Sequence, residues 1–237
     1  MQNKLKIVDI VNEAKGTKTY YFNKPEDFTW EAGAHTHLGH LGFDEGERPN
    51  KNWVRHMSIM TLPSENRIGI TTRVPGSSSE FKIKLSELIV GDEIIQFKLG
   101  SRMSLRRNNR PIVLLSMGVG MATMRPLILN FANHPDNIPR LVNVNVDASG
   151  EHIFKDEIDP LSSENLTNYW LNSRQTFYEA LEQMMKLEQA LYYIVGSDVF
   201  IKDIIARLMA NNVNREDIVI DKKEEVMDQF FELEDHL

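Results

Sequence analysis

The chain of 237 residues is long enough for one large domain or two small ones. Its composition, 41% hydrophobic and 26% charged, is ordinary for a globular protein, and its net charge of −7 disfavours nonspecific binding to nucleic acid. Because the sequence contains no cysteine, it excludes disulfides, thiol catalysis and cysteine-ligated iron–sulfur clusters, so redox chemistry would need a bound cofactor.

No apolar run in the sequence reaches the length of a membrane span. The N-terminal residues alternate in polarity like a strand and lack the apolar core of a signal peptide. We therefore expect a cytoplasmic protein without a membrane span. The oligomeric state cannot be read from the sequence.

Short segments with the alternating polarity of strands fill the N-terminal part of the chain. They occupy residues 5–11, 17–22, 53–60, 67–74 and 93–99. The first two predict a hairpin, and we expect residues 67–74 to run antiparallel to residues 53–60. Several short strands joined by turns are typical of a small antiparallel barrel.

Three histidines, His35, His37 and His40, follow a glycine turn at residues 32–34 that leads into a further strand. On a strand His35 and His37 share a face, which would allow a metal pair. No acidic or cysteine partner lies at ligand spacing, so we predict that these histidines bind no metal.

The strand predicted at residues 53–60 contains an arginine among apolar neighbours. Its alternation places Arg55 and Met57 on one face and His56 and Ser58 on the other. An arginine inside such a strand needs an anionic partner. The alternative is an edge strand whose arginine reaches solvent.

A Pro-Gly-Ser-Ser-Ser turn at residues 75–79 precedes a short helix predicted at residues 80–88. Glycine and hydroxyl groups before a helix N-terminus form a candidate anion site. The alternative is an ordinary helix start, because Ser79 is itself a good N-cap.

After a polar linker at residues 101–109, strands alternate with helices, which indicates a parallel sheet with right-handed crossovers. Ligands of such sheets bind at the carboxyl ends of the strands, here the turns after Leu115, Val146 and Val195. The acidic tail is expected to be helical or frayed, with Phe230 and Phe231 packed on the body. The predicted strands are residues 112–115, 141–146, 169–171, 191–195 and 218–220, and the predicted helices are residues 121–132, 176–187 and 199–211.

The sequence is organised around residues 110–132, where a buried strand, a glycine turn and a helix follow one another. Gly118 and Gly120 lack a Cβ, so a phosphate could approach the backbone closely at the helix N-terminus. Thr123 replaces the third glycine of the usual dinucleotide fingerprint, and the Gly-Lys-Ser/Thr of a P-loop is missing. Helical spacing extends over residues 121–132, but Pro126 would break a hydrogen bond inside a helix unless it lies in the first turn. We therefore expect the helix itself to begin near Thr123, with Thr123 as N-cap. The alternative is that the glycines only let the helix pack on the sheet.

The order of these features resembles the ferredoxin–NADP⁺ reductase family of flavoproteins. Residues 55–58, Arg-His-Met-Ser, look like that family's Arg-x-Tyr-Ser flavin motif, and residues 76–79 look like its Gly-x-x-Ser phosphate turn. Residues 118–127 look like its nicotinamide-nucleotide loop. Residues 195–197, Val-Gly-Ser, lie where the family usually has Cys-Gly-Pro.

The resemblance implies two domains, a flavin-binding antiparallel β-barrel at residues 1–105 and an NAD(P)-binding α/β domain with a parallel sheet at residues 106–237. It assigns Arg55 to the flavin phosphate and gives Ser58, the candidate catalytic residue, a hydrogen bond near flavin N5. It assigns the flavin diphosphate to main-chain N–H groups of the serine turn. The other candidate cofactor contacts are His56, Met57, Thr72, Gly76, Ser77, Ser78 and Ser79 in the barrel, and Gly118, Val119, Gly120, Met121, Thr123, Asp147, Arg174, Gly196 and Ser197 in the second domain.

Several positions depart from the family pattern. Met57 stands where the family has tyrosine, and Thr123 stands where proline is common. Val195 and Ser197 replace the cysteine and proline that lie next to the nicotinamide. These last two departures bear on hydride transfer from NAD(P)H more than on flavin binding.

The resemblance implies FAD as cofactor, with FMN as the less favoured alternative, and NADH or NADPH as co-substrate. Asp147 could accept the ribose hydroxyl of NADH, whereas Arg174 could bind the 2′-phosphate of NADPH, and ordinary surface polarity would also account for both. We predict an oxidoreductase that passes electrons through FAD to a small molecule or small redox protein. The alternatives are a flavin-binding electron-transfer or regulatory subunit without turnover of its own, and a structural relative whose sites have decayed.

Overall fold

A computed structural model describes residues 2–232 of the chain. The chain divides into two compact units, the first ending at Ser104 and the second beginning at Leu105. This division falls inside the polar segment 101–109. In the described part of the chain, none of the helices combines the length and the apolar character that crossing a membrane requires.

The first unit is built on a six-stranded antiparallel sheet with the strand order β4-β3-β6-β1-β2-β5. Its core contains alternate residues of the strands together with Phe81 and Leu85 of the helix. The sheet and this core agree with the predicted antiparallel barrel. The elements are β1 (Gln2–Ala14), β2 (Thr17–Asn23), β3 (Ala34–His40), β4 (Val54–Ser58), β5 (Arg67–Arg73), α1 (Glu80–Glu87) and β6 (Glu93–Ser101).

The predicted pairing of residues 67–74 with residues 53–60 is wrong as a strand ladder, because in the described chain it is limited to one backbone hydrogen bond, from the Met60 N–H to the Gly69 carbonyl at 2.9 Å. β5 pairs along its whole length with β2, the second strand of the hairpin. This pairing sets Tyr20 opposite Ile70 and Phe22 opposite Ile68, and all four side chains are fully buried. Alternation identifies a strand, but its partner is decided by which apolar faces can be buried together.

The second unit is a five-stranded parallel sheet with the strand order β11-β10-β7-β8-β9. This unit begins at the central strand, β7, and continues outward through β8 to β9. The chain then crosses back, so that β10 lies on the other side of β7. The order therefore reverses between β7 and β10. The elements are β7 (Ile112–Met117), α2 (Met121–Asn133), β8 (Leu141–Val146), α3 (Lys155–Ile158), β9 (Leu166–Leu171), α4 (Arg174–Met184), β10 (Leu191–Val195), α5 (Asp198–Ala210), β11 (Ile218–Ile220) and α6 (Glu224–Phe231).

One face of this sheet packs against α4, α5 and α6 through residues such as Val113 and Leu115. Ile112 and Leu114, which alternate with them, are also fully buried, so burial on both faces explains the continuous apolar run of β7. Phe230 and Phe231 of α6 are buried in this core, so the expected packing of the acidic tail is confirmed as far as the structure describes it. Residues 233–237 of the tail lie outside the described residues.

The expected start of α2 at Thr123 is wrong. A single 3-10 turn, Gly118–Gly120, leads directly into the helix at Met121, with Gly120 in the N-cap position. Pro126 therefore lies in the second turn of the helix. An interior proline costs roughly 3 kcal/mol, and burying the side chains of Met121 and Met124 contributes roughly 1.5–3 kcal/mol each, so the longer helix is favoured.

Candidate nucleotide-binding sites

The serine turn before α1 is open to a ligand. Gly76 has a positive φ of 73°, and a Cβ placed on it would meet nothing within 4 Å. Ser79 occupies the N-cap position of α1, but its side chain makes no capping hydrogen bond. Its Oγ instead accepts a hydrogen bond of 3.1 Å from Nε of Arg55. The first-turn N–H groups of α1 are thus left without the usual side-chain acceptor, an arrangement that suits an anion.

Two of the three serine N–H groups expected to hold a diphosphate already have acceptors within the turn. The N–H of Ser77 donates to the Val74 carbonyl at 3.0 Å, and the N–H of Ser79 donates to Oγ of Ser77 at 3.2 Å. That all three N–H groups hold the ligand stays a prediction, and in this conformation two of them are engaged within the turn. The donors that remain are the N–H of Ser78 and the first-turn N–H groups of α1.

Arg55 and Lys82 add positive charge to this turn. In the part of the chain that the structure describes, neither forms an ion pair with a carboxylate. An open turn, an uncapped helix start and cations without counter-ions form a donor set that fits the diphosphate of a flavin dinucleotide.

The other predicted flavin contacts lie in different surroundings. Met57 is partly buried against the barrel core, and Thr72 is buried within β5 and offers no exposed surface. Ser58 ends β4 and is half-buried. The ring of His56 lies 4.0 Å from the ring of His35, centroid to centroid. His56, Met57 and Ser58, at the end of β4, all remain partly exposed.

The two glycines after β7 differ in what surrounds them. Gly118 has a positive φ of 54°, and a Cβ on it would lie 3.5 Å from Oδ2 of Asp147. A Cβ on Gly120 would lie only 2.7 Å from the carbonyl oxygen of Val195. Gly118 is therefore required by its backbone conformation, and Gly120 by the close packing of α2 against the end of β10. The turns that follow β7, β8 and β10 meet at one edge of the sheet.

Asp147 follows β8 and lies beside this glycine turn. Its Oδ1 accepts hydrogen bonds from the N–H and the Oγ of Ser149, at 2.9 and 2.7 Å. Its Oδ2 is the oxygen that lies toward Gly118. A carboxylate at this place can accept a ribose hydroxyl, but it repels a phosphate.

Arg174, the first residue of α4, belongs to a charged network. Its Nη1 lies 3.5 Å from Oδ2 of Asp203, and Arg207 donates to Oδ1 of the same carboxylate at 3.1 Å. Its Nη2 lies 3.9 Å from Sδ of Met117, at the carboxyl end of β7. Two guanidinium groups share one carboxylate, so the network keeps a net positive charge that could bind an anion.

The residues after β10 have structural roles. Oγ of Ser197 accepts a hydrogen bond from the N–H of Phe200 at 3.2 Å and so caps α5. A Cβ on Gly196 would lie 2.5 Å from the ring of Phe200. Val195 offers no polar side chain. This turn therefore supplies backbone surface rather than a reactive group.

Among the remaining residues predicted at the glycine loop, Val119 is half-buried, while the side chains of Met121 and Thr123 are buried. They can contribute main-chain atoms to a ligand. The next turn of α2 is fixed by Arg125, which donates from Nε and Nη2 to the carboxylate of Glu157 at 2.7 and 2.5 Å. This two-point ion pair joins α2 to α3.

Sequence analysis missed a polar network beneath the glycine turn. Asn145, 1% exposed, donates from Nδ2 to Oγ of Ser116 at 2.9 Å and lies 3.5 Å from the Gly118 carbonyl oxygen. Its Oδ1 accepts from Nδ1 of His152 at 2.7 Å, and Nε2 of His152 lies 2.9 Å from Oδ1 of Asn172. The available signal was an asparagine inside a buried strand, since such an amide needs partners.

No protein-family profile matches this sequence, and no curated protein matches it either. Solved structures do resemble it. A ferredoxin NADP⁺ reductase from Neisseria gonorrhoeae, with bound FAD and NADP, has a TM-score of 0.76 at 17% identity, over 93% of this chain and 98% of that one. A flavohemoglobin from Malassezia yamatoensis, with bound FAD and heme, has a TM-score of 0.72 at 13% identity over 93% of this chain. The present chain spans 59% of that flavohemoglobin.

A third similar structure is the FAD/NAD binding domain of nitric oxide dioxygenase from Vibrio cholerae. Its TM-score is 0.68 at 15% identity, over 92% of this chain and 97% of that one. The chain has the two-domain fold of these flavoproteins, an antiparallel barrel followed by a parallel α/β sheet. The fold that the sequence motifs predicted is confirmed.

Proposed function

We propose that the protein is a flavin-dependent oxidoreductase that takes reducing equivalents from NAD(P)H and passes them through bound FAD to an acceptor. The observation that carries the proposal is the serine turn of the first unit. There, Ser79 leaves α1 uncapped and accepts instead from Arg55, beside the open Gly76. This arrangement, in a barrel of this fold, supports the binding of a flavin diphosphate.

The second unit supports a nicotinamide nucleotide. The strand order reverses between β7 and β10, and open α/β sheets bind ligands at such a reversal, outside the carboxyl ends of the strands. Gly118 provides the backbone turn at this place, with Asp147 and Arg174 on nearby elements. In this proposal Asp147 faces a ribose and Arg174 faces a phosphate.

FAD, when bound, would supply hydride acceptance and stepwise release of electrons. The chain's own residues bind and orient it. Arg55 and the first turn of α1 hold its diphosphate, and Ser58 offers a hydroxyl for a hydrogen bond near the reacting nitrogen. The proposed acceptor is a small molecule or a small redox protein, since electrons must leave the flavin directly.

The test is the visible spectrum of the purified protein, before and after adding FAD, followed by anaerobic addition of NADH or NADPH. We expect flavin absorption bands that bleach within seconds. A protein that stays colourless after FAD is added would contradict the proposal. The faster of the two donors identifies the physiological coenzyme.

A second candidate function is a flavin-binding electron-transfer subunit without NAD(P)H turnover of its own. The observation that favours it is the turn after β10, where the Ser197 hydroxyl caps α5 and the family's cysteine is replaced by Val195. Flavin bands that persist under both nucleotides, but bleach with dithionite, would support this candidate over the first.

A further inference from the structure

Lys82 lies in the first turn of α1, next to the serine turn and outside the Gly-x-x-Ser motif. Its side chain is partly buried, and its Nζ donates to the Arg73 carbonyl at 3.2 Å. That single hydrogen bond leaves the other two ammonium hydrogens available to a ligand.

The surroundings of Lys82 disfavour the positive charge of its ammonium group. Burial and the positive charge of Arg55 both lower the pKa of Lys82. Arg55 Nε donates to Oγ of Ser79 in the N-cap position of the same helix, so both cations lie at the start of α1. Among residues 2–232, no carboxylate pairs with either group to offset this repulsion.

We propose that Lys82 is a second cationic ligand of the flavin diphosphate, acting together with Arg55 at the N-terminus of α1. The inference rests on the proposed flavin binding and deepens it. An anion at this place would relieve the repulsion between the two cations, and it would receive the ammonium hydrogens that the Arg73 carbonyl leaves unused.

Lys84 provides a matched control on the same helix. Its Nζ lies 4.3 Å from the centre of the Trp53 ring, in a cation–π contact. Substituting Lys84 changes the net charge by the same amount as substituting Lys82. Any effect of overall charge on flavin binding is therefore shared by the two variants.

The experiment measures the dissociation constant of FAD by quenching of flavin fluorescence, for the wild-type protein and the variants Lys82→Gln, Lys82→Arg and Lys84→Gln, at several salt concentrations. We expect Lys82→Gln to weaken binding about ten- to a hundredfold at low salt, the effect of one hydrogen bond to a charged group. The dissociation constant of FAD should depend less steeply on salt concentration in Lys82→Gln than in the wild type. Lys82→Arg should retain most of the wild-type affinity for FAD, and Lys84→Gln should resemble the wild type.

The inference is overturned if the wild type binds FAD and Lys82→Gln binds it equally well. It is also overturned if Lys82→Gln lowers the melting temperature of the flavin-free protein while the salt dependence of binding stays unchanged, because Lys82 would then only join α1 to β5. A wild type that binds no FAD contradicts the proposed function itself, which is a different result.

Discussion

Asn145 holds the glycine turn of the second unit through a side-chain amide that is buried and bonded on both sides. It contacts Ser116 and the Gly118 carbonyl through Nδ2 and His152 through Oδ1. An apolar side chain of similar volume would leave Ser116 and His152 without these bonds. Ser116 is fully buried, so leaving it unsatisfied costs roughly 1–3 kcal/mol, and the turn would lose its support.

We therefore expect Asn145→Leu to raise the KM for NAD(P)H about tenfold or more, while FAD affinity stays unchanged, because the flavin site belongs to the other unit. Asn143→Leu is the control, since Asn143 lies on the same face of β8 and contacts Asn168 rather than the turn. Steady-state kinetics and nucleotide titrations check this. Equal KM values for the two variants would contradict the positioning role of Asn145.

Asp147 and Arg174 are expected to control coenzyme choice in opposite directions. Asp147→Asn removes the charge that repels a 2′-phosphate, so the ratio of kcat/KM for NADPH to that for NADH should rise. Arg174→Leu removes a phosphate ligand, so the same ratio should fall, by about tenfold or more. Stopped-flow reduction with each nucleotide measures both ratios. Ratios that stay at the wild-type value in both variants would show that these residues are ordinary surface groups.

At the scale of elements, α1 is tied to β3 through a buried histidine. Nε2 of His40 donates to the Phe81 carbonyl at 2.9 Å, and the two rings pack 4.8 Å apart. Burial lowers the pKa of His40, with Lys84 acting in the same direction, although the bond to Phe81 and the charge of Glu87 partly oppose it. The uncharged imidazole is thus the form that fits between the helix and the sheet.

Because the pKa of His40 is lowered in the folded protein, the free energy of unfolding depends on pH in a predictable direction. The unfolded chain binds a proton at this histidine more readily than the folded chain, so the stabilisation is complete above about pH 6.5 and is lost as the pH falls below that value. We expect the free energy of unfolding to decrease between pH 7 and pH 5, and to decrease less in His40→Gln. Urea denaturation at each pH measures it, with His134→Gln, at an exposed position, as control. The same slope in His40→Gln as in the wild type would rule His40 out as the source.

Elements whose character depends on their own residues could be predicted from sequence. The bounds of β8, β10 and β11 are those predicted, because the strands are followed directly by Asp147, Gly196 and Asp221. The partner of β5 could not be predicted, because pairing depends on distant residues such as Tyr20 and Phe22. Contacts across the fold are decided by the assembled structure and not by local pattern.

The same distinction applies to the candidate sites. Its residue type predicts Ser79 as an N-cap, and it does occupy that position, but its hydroxyl is bonded to Arg55, 24 residues away in sequence. His152 and Asn145 gave no motif, because their bonds to Asn172 and Ser116 become visible only when three strands lie side by side.

On the scale of the whole molecule, each unit has its own apolar core, one within the barrel and one between the parallel sheet and α4, α5 and α6. Each unit also contains its own proposed nucleotide site, with ligand-facing groups at the ends of strands or at the start of a helix. Substitutions at one site are therefore expected to leave the fold of the other unit intact, as the Asn145 and Lys82 experiments assume.

The contact between Gly120 and Val195 also limits how this protein can be engineered. Any side chain at position 120 would press against a main-chain oxygen 2.7 Å from its Cβ and would separate the start of α2 from the end of β10. A mutant library intended to change coenzyme preference can therefore randomise Asp147 and Arg174, but it should keep position 120 fixed. Variants altered at position 120 would be lost through misfolding before selection could compare their kinetics.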